Sequence, residues 1–511
     1  MVGAKARFVR SIFIDPEADV SDANHPKQES FAADSLAVGM LVMLVMTVIQ
    51  RAVGFFRGIW ICRLLDDTDV GQWAMAIGFI MLMTPVMMFG IPGSLPRYVE
   101  RYRLLGHLPS FIRKMGLVTA CCMSVFLVCA WAFPGWLGWF IFLEPQNVSL
   151  VYSVGVAVVS IAAFYFVNEL VSSLRQVRIV SLMQFVQSLA FTAFAVAALY
   201  AGLGLIGVVL SYAAATLIAI LPGAYVLFRG WGGLPKSGET FCVPSMWRNI
   251  LPYAGALWAM NLIGNVFELS DRYMILHLSP GGELVGQSSV GQYHSGRMLP
   301  VLLMSLATLI GGVLMPYLSA DWENGLKQAV RDRMRRVLLA VSACFTLGAA
   351  FALLVAPWMF DTLLENRYSD GLAMMPIVFV FCIWASLVTL GENYLLVAER
   401  GKWVAVCLCF GLAANLGLNA LLLPIWGLHG AVIATLCAHG TVMIGLWFAM
   451  SRTEFAWDRT VLYITLLPAT LLMGPWVAIL SVTITIAASE HSRTWGREAI
   501  DAIRHRRAAA A

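Results

Sequence analysis

The chain of 511 residues predicts an all-α polytopic membrane fold, and three observations lead there. Hydrophobic residues make up 60% of it and charged residues only 12%, against roughly 45–50% and about 25% in a soluble globular protein. Apolar stretches of about 20 residues, each able to cross a bilayer core of roughly 30 Å, recur between residues 35 and 488. Lys and Arg collect in alternate loops between those stretches. At a mean hydropathy of +0.78 the composition excludes a water-soluble enzyme, which needs a polar skin.

The first half holds six runs, near 35–62, 71–90, 116–142, 150–171, 180–200 and 203–228. Six more lie near 251–278, 289–318, 337–360, 371–396, 403–423 and 427–450, and a last one covers 460–488. Helices are expected because they satisfy their own backbone groups in lipid, whereas barrel strands would read as alternating segments of about ten residues. Loops after even-numbered runs hold 19 Lys and Arg; loops after odd-numbered runs hold only Arg63 and Arg367. The positive-inside rule therefore places the N-terminus in the cytoplasm, and the expected location is the cytoplasmic (inner) membrane. Arg493, Arg497, Arg504, Arg506 and Arg507 put the tail on the same side, which demands an even number of crossings. The run 460–488 is long for one upright helix and short for two, and Gly474-Pro475 in its middle points to a tight hairpin, giving 14 helices rather than 13.

The expected organisation is a cytoplasmic segment 1–33, an N-lobe of helices 1 to 6 over 34–228, and a cytoplasmic linker 229–250. A C-lobe of helices 7 to 12 over 251–450, the hairpin 460–488 and a basic cytoplasmic tail 489–511 complete it. The longest loops, 91–115 and 229–250, are too short for a soluble domain, and the patch Ile12 to Ile14 is too brief for a signal peptide. The ten cysteines lie almost entirely in apolar runs and none has CxxC spacing, so they read as packing residues rather than metal or redox ligands.

The halves repeat. Val70-Gly71-Gln72-Trp73 opens the second run and Val290-Gly291-Gln292-Tyr293 the eighth, an offset of 220; Gly204-Leu205-Ile206-Gly207 and Gly427-Leu428-His429-Gly430 open the sixth and twelfth, an offset of 223. Six helices separate the copies, so the halves are parallel repeats about an axis along the membrane normal. Two pseudo-symmetric six-helix lobes around a central cavity follow, which is transporter architecture.

Three stretches resemble the polysaccharide transporter family of the multidrug/oligosaccharidyl-lipid/polysaccharide exporter superfamily, the oligosaccharide-lipid flippases. The first is Arg51-Ala52-Val53-Gly54-Phe55-Phe56-Arg57-Gly58 with Arg63-Leu64-Leu65 and Val70-Gly71. The second is Asp271-Arg272-Tyr273 ahead of Val290-Gly291-Gln292-Tyr293. The third and most specific runs from Asn415-Leu416-Gly417-Leu418-Asn419 through Leu423-Pro424 to Gly427-Leu428-His429-Gly430-Ala431 and on to Thr435. The resemblance spans about residues 35 to 450; the compressed segment 460–488 departs from the family's fuller last two helices. It implies a flippase that moves polyprenyl-pyrophosphate-linked oligosaccharide from the cytoplasmic to the outer leaflet for surface polysaccharide biosynthesis, by ion-coupled alternating access. It implies no enzyme activity and no cofactor. The expected partners are lipid-linked oligosaccharide, membrane lipids and H⁺ or Na⁺, with no nucleic acid, and the chain is expected to act as a monomer.

A charge in hydrocarbon costs about 2.5–3.5 kcal/mol on insertion scales, so each intramembrane Arg needs a partner. Arg51 and Arg57 lie six residues apart in the first run, about 9 Å along the axis and about 120° around it. Guanidinium forks match the oxygens of a pyrophosphate, and the alternative is that each Arg is pinned by a carboxylate for packing alone. Asn261, Asn265, Glu268 and Arg272 are spaced by 4, 3 and 4 residues and form one polar stripe that should face a wet cavity or another polar helix. Arg297, with His294 beside it, adds a cation from the eighth run. Arg51, Arg57, Arg272, Arg297, Asn261 and Asn265 are thus the candidate substrate-binding residues. Glu268 and Asp271 are the candidate ion-coupling carboxylates, with a Glu268–Arg272 pair at i, i+4 as the plain alternative for Glu268. No metal site is expected. Gln184, Gln187, Asn415, Asn419, Thr435 and His439 read better as hydrogen-bonding glue between helices. Two competing functions are a cation-coupled multidrug exporter, which would want a more apolar or acidic cavity, and a membrane glycan polymerase, for which the short outer loops leave little room.

Overall fold

The computed structural model describes residues 36–142, 148–233, 243–280 and 282–488; among them there are helices and no strand. The expected terminal segments 1–33 and 489–511 lie outside the described residues. The first lobe comprises α1 (Leu36–Leu64), α2 (Asp67–Met88), α3 (Ile91–Leu104), α4 (Leu108–Ala132), α5 (Pro134–Phe142), α6 (Val148–Ser173), α7 (Val177–Tyr200) and α8 (Gly204–Gly230). The second comprises α9 (Val243–Leu278), α10 (Glu283–Arg297), α11 (Pro300–Glu323), α12 (Lys327–Thr362), α13 (Ser369–Val397) and α14 (Gly401–Ser451). After these come α15 (Arg459–Ala469), a 3-10 turn at Thr470–Met473 and α16 (Pro475–Ala488). Eleven described helices are long and apolar enough to cross a membrane. One of them, α14, does so twice, because it doubles back at Gly427 (φ 54°, ψ −136°) and its limbs pack through Gly411 on Val442 and Gly445 on Cys407.

The lobes are built alike. In the first, α1 packs on α7, α6 on α8, and α2 and α4 on α6; in the second, α9 packs on α14, α13 on α14, and α10 and α12 on α13. The repeat glycines take equivalent roles. Gly204 and Gly427 both have φ +54°, a conformation that disfavours a side chain. The other repeat pair does more than correspond: Gly71 and Gly291 meet. A Cβ on Gly71 would collide with the Gln287 carbonyl and one on Gly291 with the Asp67 carbonyl, so α2 and α10 touch backbone to backbone across the lobe boundary.

Helix ends define a basic face, carrying the Lys- and Arg-rich loops, and an opposite face. On the opposite face the lobes are closed by reciprocal contacts. Tyr273 donates its hydroxyl to the Phe140 carbonyl of α5, whose ring lies against Phe79 and Tyr273 at 6.0 and 5.7 Å between centroids. In return Tyr368, between α12 and α13, donates to the Cys62 carbonyl at 2.9 Å, and Arg63 pairs with Glu365 at 3.4 Å. The seam between α2 and α9 is packed along its length: Arg272 on the Ala74 carbonyl, Leu269 against Gly78, Phe89 stacked on Trp258, and Gly90 against the Ala254 carbonyl. The other seam differs. Close and polar contacts of α1 with the second lobe gather near the opposite face, where Gly58 and Cys62 meet Met298.

Three features depart from the expected runs. Pro134, which lacks an N–H, ends α4 and starts α5, so 116–142 is two helices. Pro300 does the same to 289–318, leaving Arg297 as the last residue of α10. The segment 91–104, read as loop, is an amphipathic helix that buries Ile91, Leu95, Tyr98, Val99 and Tyr102 and exposes Arg97 and Arg101. At the C-terminus Leu467 of α15 and Val482 of α16 share an apolar cluster with Ala343, so the chain turns back at Gly474 (φ 113°). Arg335 with Asp458 at 3.2 Å, and Arg331 with Glu454, fasten the start of this hairpin to α12 at the basic face.

Gly71→Ala or Gly291→Ala is expected to lower unfolding stability in detergent by about 1–3 kcal/mol through overpacking. Alanine at Gly348 or Gly417, where a Cβ meets nothing within 4 Å, should be neutral or stabilising by about 0.5–1 kcal/mol. Equal effects at all four sites would show that the α2–α10 approach bears no special load.

Candidate functional site

The polar stripe of α9 organises the centre of the molecule. Arg272 needs space beside α2, and Gly78 provides it: a Cβ there would stand 3.3 Å from the Arg272 Nη1. That nitrogen donates to the Ala74 carbonyl at 2.9 Å, so a cation of one lobe rests on the backbone of the other. One turn back on α9, the Glu268 Oε1 lies 2.9 Å from the Arg297 Nη2 and 3.8 Å from the Arg272 Nη2. The Arg297 guanidinium also lies over the Tyr293 ring, 5.2 Å from its centroid. Its Nε is buried without a hydrogen-bond partner among the described residues.

Asp271, one residue from Arg272, points into a different environment. Asn415 and Asn419 donate to its Oδ1 at 2.8 and 3.0 Å, and Tyr293 and Thr435 donate to its Oδ2, both at 2.9 Å. Ser270 and Asn419 in turn donate to the Asn415 Oδ1. Asp271, Asn415, Asn419 and Thr435 are all buried, and among the described residues no basic side chain forms an ion pair with Asp271. The carboxylate is held by neutral dipoles from α10 and both limbs of α14. Of the side chains expected to be interhelical glue, Asn415, Asn419 and Thr435 share this one acceptor. His439, whose Nδ1 lies 2.9 Å from the Thr435 carbonyl, packs against Phe267 and Phe381 beside them.

Asn261, Gly264 and Glu268 are exposed and Asn265 is half-buried. The face they share is the one that carries Glu268 to Arg297, so the stripe looks into the gap between the lobes. Arg51 is exposed too, and it makes no hydrogen bond or ion pair among the described residues. Its spacing of seven and eleven residues from Gly58 and Cys62 puts it on the face of α1 that turns toward Met298 of the second lobe. It lies about 20 Å from the opposite-face end of α1, a depth close to that of Arg297 at the end of α10. Arg57 goes elsewhere. The rotation separating it from Arg51 turns it onto α7, where it donates to the Thr192 hydroxyl at 3.2 Å and the Ser188 carbonyl at 3.4 Å and covers the Phe191 ring at 4.2 Å. Of the eight residues singled out in the sequence, the fold gathers Glu268, Asp271, Arg272 and Arg297, sets Arg51, Asn261 and Asn265 along the same gap, and leaves Arg57 inside the first lobe. Tyr293, Asn415, Asn419 and Thr435 join the cluster as well, although nothing in their spacing points to it.

A separate groove of about 350 Å³ between α4 and α6, lined by Leu127, Val128, Trp131, Tyr152 and Val156, is almost wholly apolar. It belongs to the outer wall of the first lobe and carries none of these charges.

Comparison with known proteins agrees with this architecture. The lipid II flippase MurJ in an inward closed conformation superposes with a TM-score of 0.67 at 10% identity, covering 90% of this chain and all of that one. An inward-facing multidrug resistance MATE family transporter of the MOP superfamily gives 0.60 at 12% identity, covering 81% of this chain and 98% of that one. In sequence, the membrane protein MJ1068 of Methanocaldococcus jannaschii is 23% identical over an alignment of 428 positions that covers 76% of this chain and 79% of that protein. The family described as "Polysaccharide biosynthesis protein" matches residues 36–322, more than half of the chain. A multi-pass membrane protein with the fold of MOP superfamily transporters, the chain belongs to the polysaccharide biosynthesis protein family.

Proposed function

We propose that the protein is a flippase carrying polyprenyl-pyrophosphate-linked oligosaccharide across the cytoplasmic membrane, with the basic face in the cytoplasm. The observation that carries this reading is the pair Arg272 and Arg297 held at mid-depth on one carboxylate, with Arg51 exposed at a similar depth on the α1 face that turns toward the second lobe. Guanidinium groups kept in a low-dielectric interior serve a phosphorylated cargo, because paired forks meet phosphate oxygens with short, charge-assisted bonds. Asn261 and Asn265 extend the stripe toward the basic face, where sugar hydroxyls would find amide partners. The lipid tail stays in the bilayer by way of the less tightly packed α1–α11 side. With the opposite face latched, this arrangement loads from the cytoplasm; release requires the Gly71–Gly291 contact and its neighbouring latches to part.

Asp271 is the proposed seat of the coupling ion. Rotating the amides of Asn415 and Asn419 would replace Nδ2 by Oδ1 and turn the same shell from anion-holding to cation-holding. The Asn419 Oδ1 is already buried without a partner among the described residues. Because the shell joins α9, α10 and both limbs of α14, its occupancy would alter how these helices pack, which is what coupling requires.

In a strain lacking the native gene, Arg272→Ala or Arg297→Ala is expected to cut surface polysaccharide export by about tenfold to a hundredfold, the worth of one charge-assisted bond, at unchanged membrane abundance. Normal export together with raised drug sensitivity would instead indicate a drug exporter. Added Na⁺ is expected to stabilise the purified protein by about 2.7 kcal/mol at a hundred times Kd and to leave Asp271→Asn unmoved in thermal unfolding. Equal shifts in both would remove Asp271 from the coupling role.

A further inference from the structure

Among the three charges that meet at the centre, accessibility is unequal. The Glu268 side chain is 44% exposed, whereas Arg272 is 11% and Arg297 9% exposed. The acid therefore covers two buried cations on the side that looks into the gap, and an arriving anion touches Glu268 first. We infer that Glu268 is a resident counter-anion: it holds Arg272 and Arg297 in place while the gap is empty and yields them to the pyrophosphate of the cargo. This inference rests on the flippase reading and gives its central charges an order of events.

The contacts fit an exchangeable partner rather than a fixed clamp. Glu268 meets Arg297 directly at 2.9 Å but stands 3.8 Å from Arg272, beyond hydrogen-bond reach. Arg272 is independently fixed by the Ala74 carbonyl, so it keeps its position when Glu268 leaves. The Arg297 Nε lacks a partner among the described residues, so the guanidinium pair is not saturated by one carboxylate. A displaced Glu268 has somewhere to go, since Asn265, three residues earlier on α9, is half-buried on the same exposed face and can donate from its amide.

Charge arithmetic makes Glu268 a specificity device. A phosphodiester headgroup, with one negative charge, replaces one carboxylate by one anion and gains little. A pyrophosphate diester carries two charges and enough oxygens for both forks, so it gains the second interaction that Glu268 makes poorly. The surrounding phospholipids are thereby refused, and the pyrophosphate class is accepted.

The test is calorimetric binding to the full-length protein in neutral detergent, with inorganic pyrophosphate, farnesyl pyrophosphate and dimethyl phosphate as probes. Wild type should bind both pyrophosphates and not dimethyl phosphate; Glu268→Gln should bind the pyrophosphates about tenfold tighter or better and gain measurable affinity for dimethyl phosphate. Pyrophosphate binding that is unchanged or weaker in E268Q overturns the counter-anion role while leaving the flippase reading in place. No binding of either pyrophosphate to wild type or variant overturns both. A gain confined to inorganic pyrophosphate supports the exchange and overturns a lipid-borne cargo. Should E268Q fail to fold, carbodiimide labelling of Glu268 in wild type decides: pyrophosphate should raise labelling severalfold by freeing the carboxylate, and unchanged or reduced labelling overturns the inference.

Discussion

The contact of Gly71 with Gly291 sets the geometry on which the rest depends. Two helices can approach to backbone distance only where neither carries a Cβ, and here the two glycines are the same residue of a repeated motif, facing one another across the lobe boundary. That approach brings the α2 carbonyl of Ala74 within reach of Arg272 and fixes α10, at whose end Arg297 stands. It also lets Gln72 donate to Gln287 at 3.0 Å and the Ser288 hydroxyl bond to Asp67. Larger residues at this point would separate the lobes and with them the charges that meet between them.

Charge placed in hydrocarbon is expensive, and the protein answers the expense in distinct ways. Glu268 offsets one of the two guanidinium charges by proximity and leaves one positive charge over. Asp271 is kept by four neutral donors and, among the described residues, forms no ion pair. Arg57 is satisfied by a hydroxyl, a carbonyl and an aromatic face inside one lobe. Ion pairing, dipolar solvation and stacking thus divide the interior into a region where charges face a gap and regions where they serve packing.

Much of this architecture is legible in the amino-acid sequence. Long apolar runs and charge-sorted loops give the crossings, and the repeat gives the two lobes, because both are written as local patterns. The 4-3-4 spacing from Asn261 to Arg272 reveals the stripe, since helix periodicity is local too. Contacts across the chain are another matter. Nothing in the order of residues says that Arg297 would answer Glu268 from 29 residues away, or that Asp271 would collect Asn415 from 144 away. Arg51 and Arg57 look alike in sequence, yet rotation about α1 sends one to the gap and the other to α7. The helix at 91–104 is hidden because Arg97, Glu100, Arg101 and Arg103 interrupt its apolar positions, a pattern that reads as loop until its spacing is traced.

The shell around Asp271 also bears on how the polypeptide is made. Its carboxylate sits on α9, whose mean hydropathy of 1.3 is well below the 2.3 of α13. Three of its four donors are on α14, 144 to 164 residues further along the chain. When α9 first leaves the ribosome, Glu268 can lean on Arg272 within its own helix, but the donors of α14 have not yet been synthesised. Asp271 thus lacks three of its four partners until α14 is made, so the polar shell of the second lobe can close only once that lobe is complete.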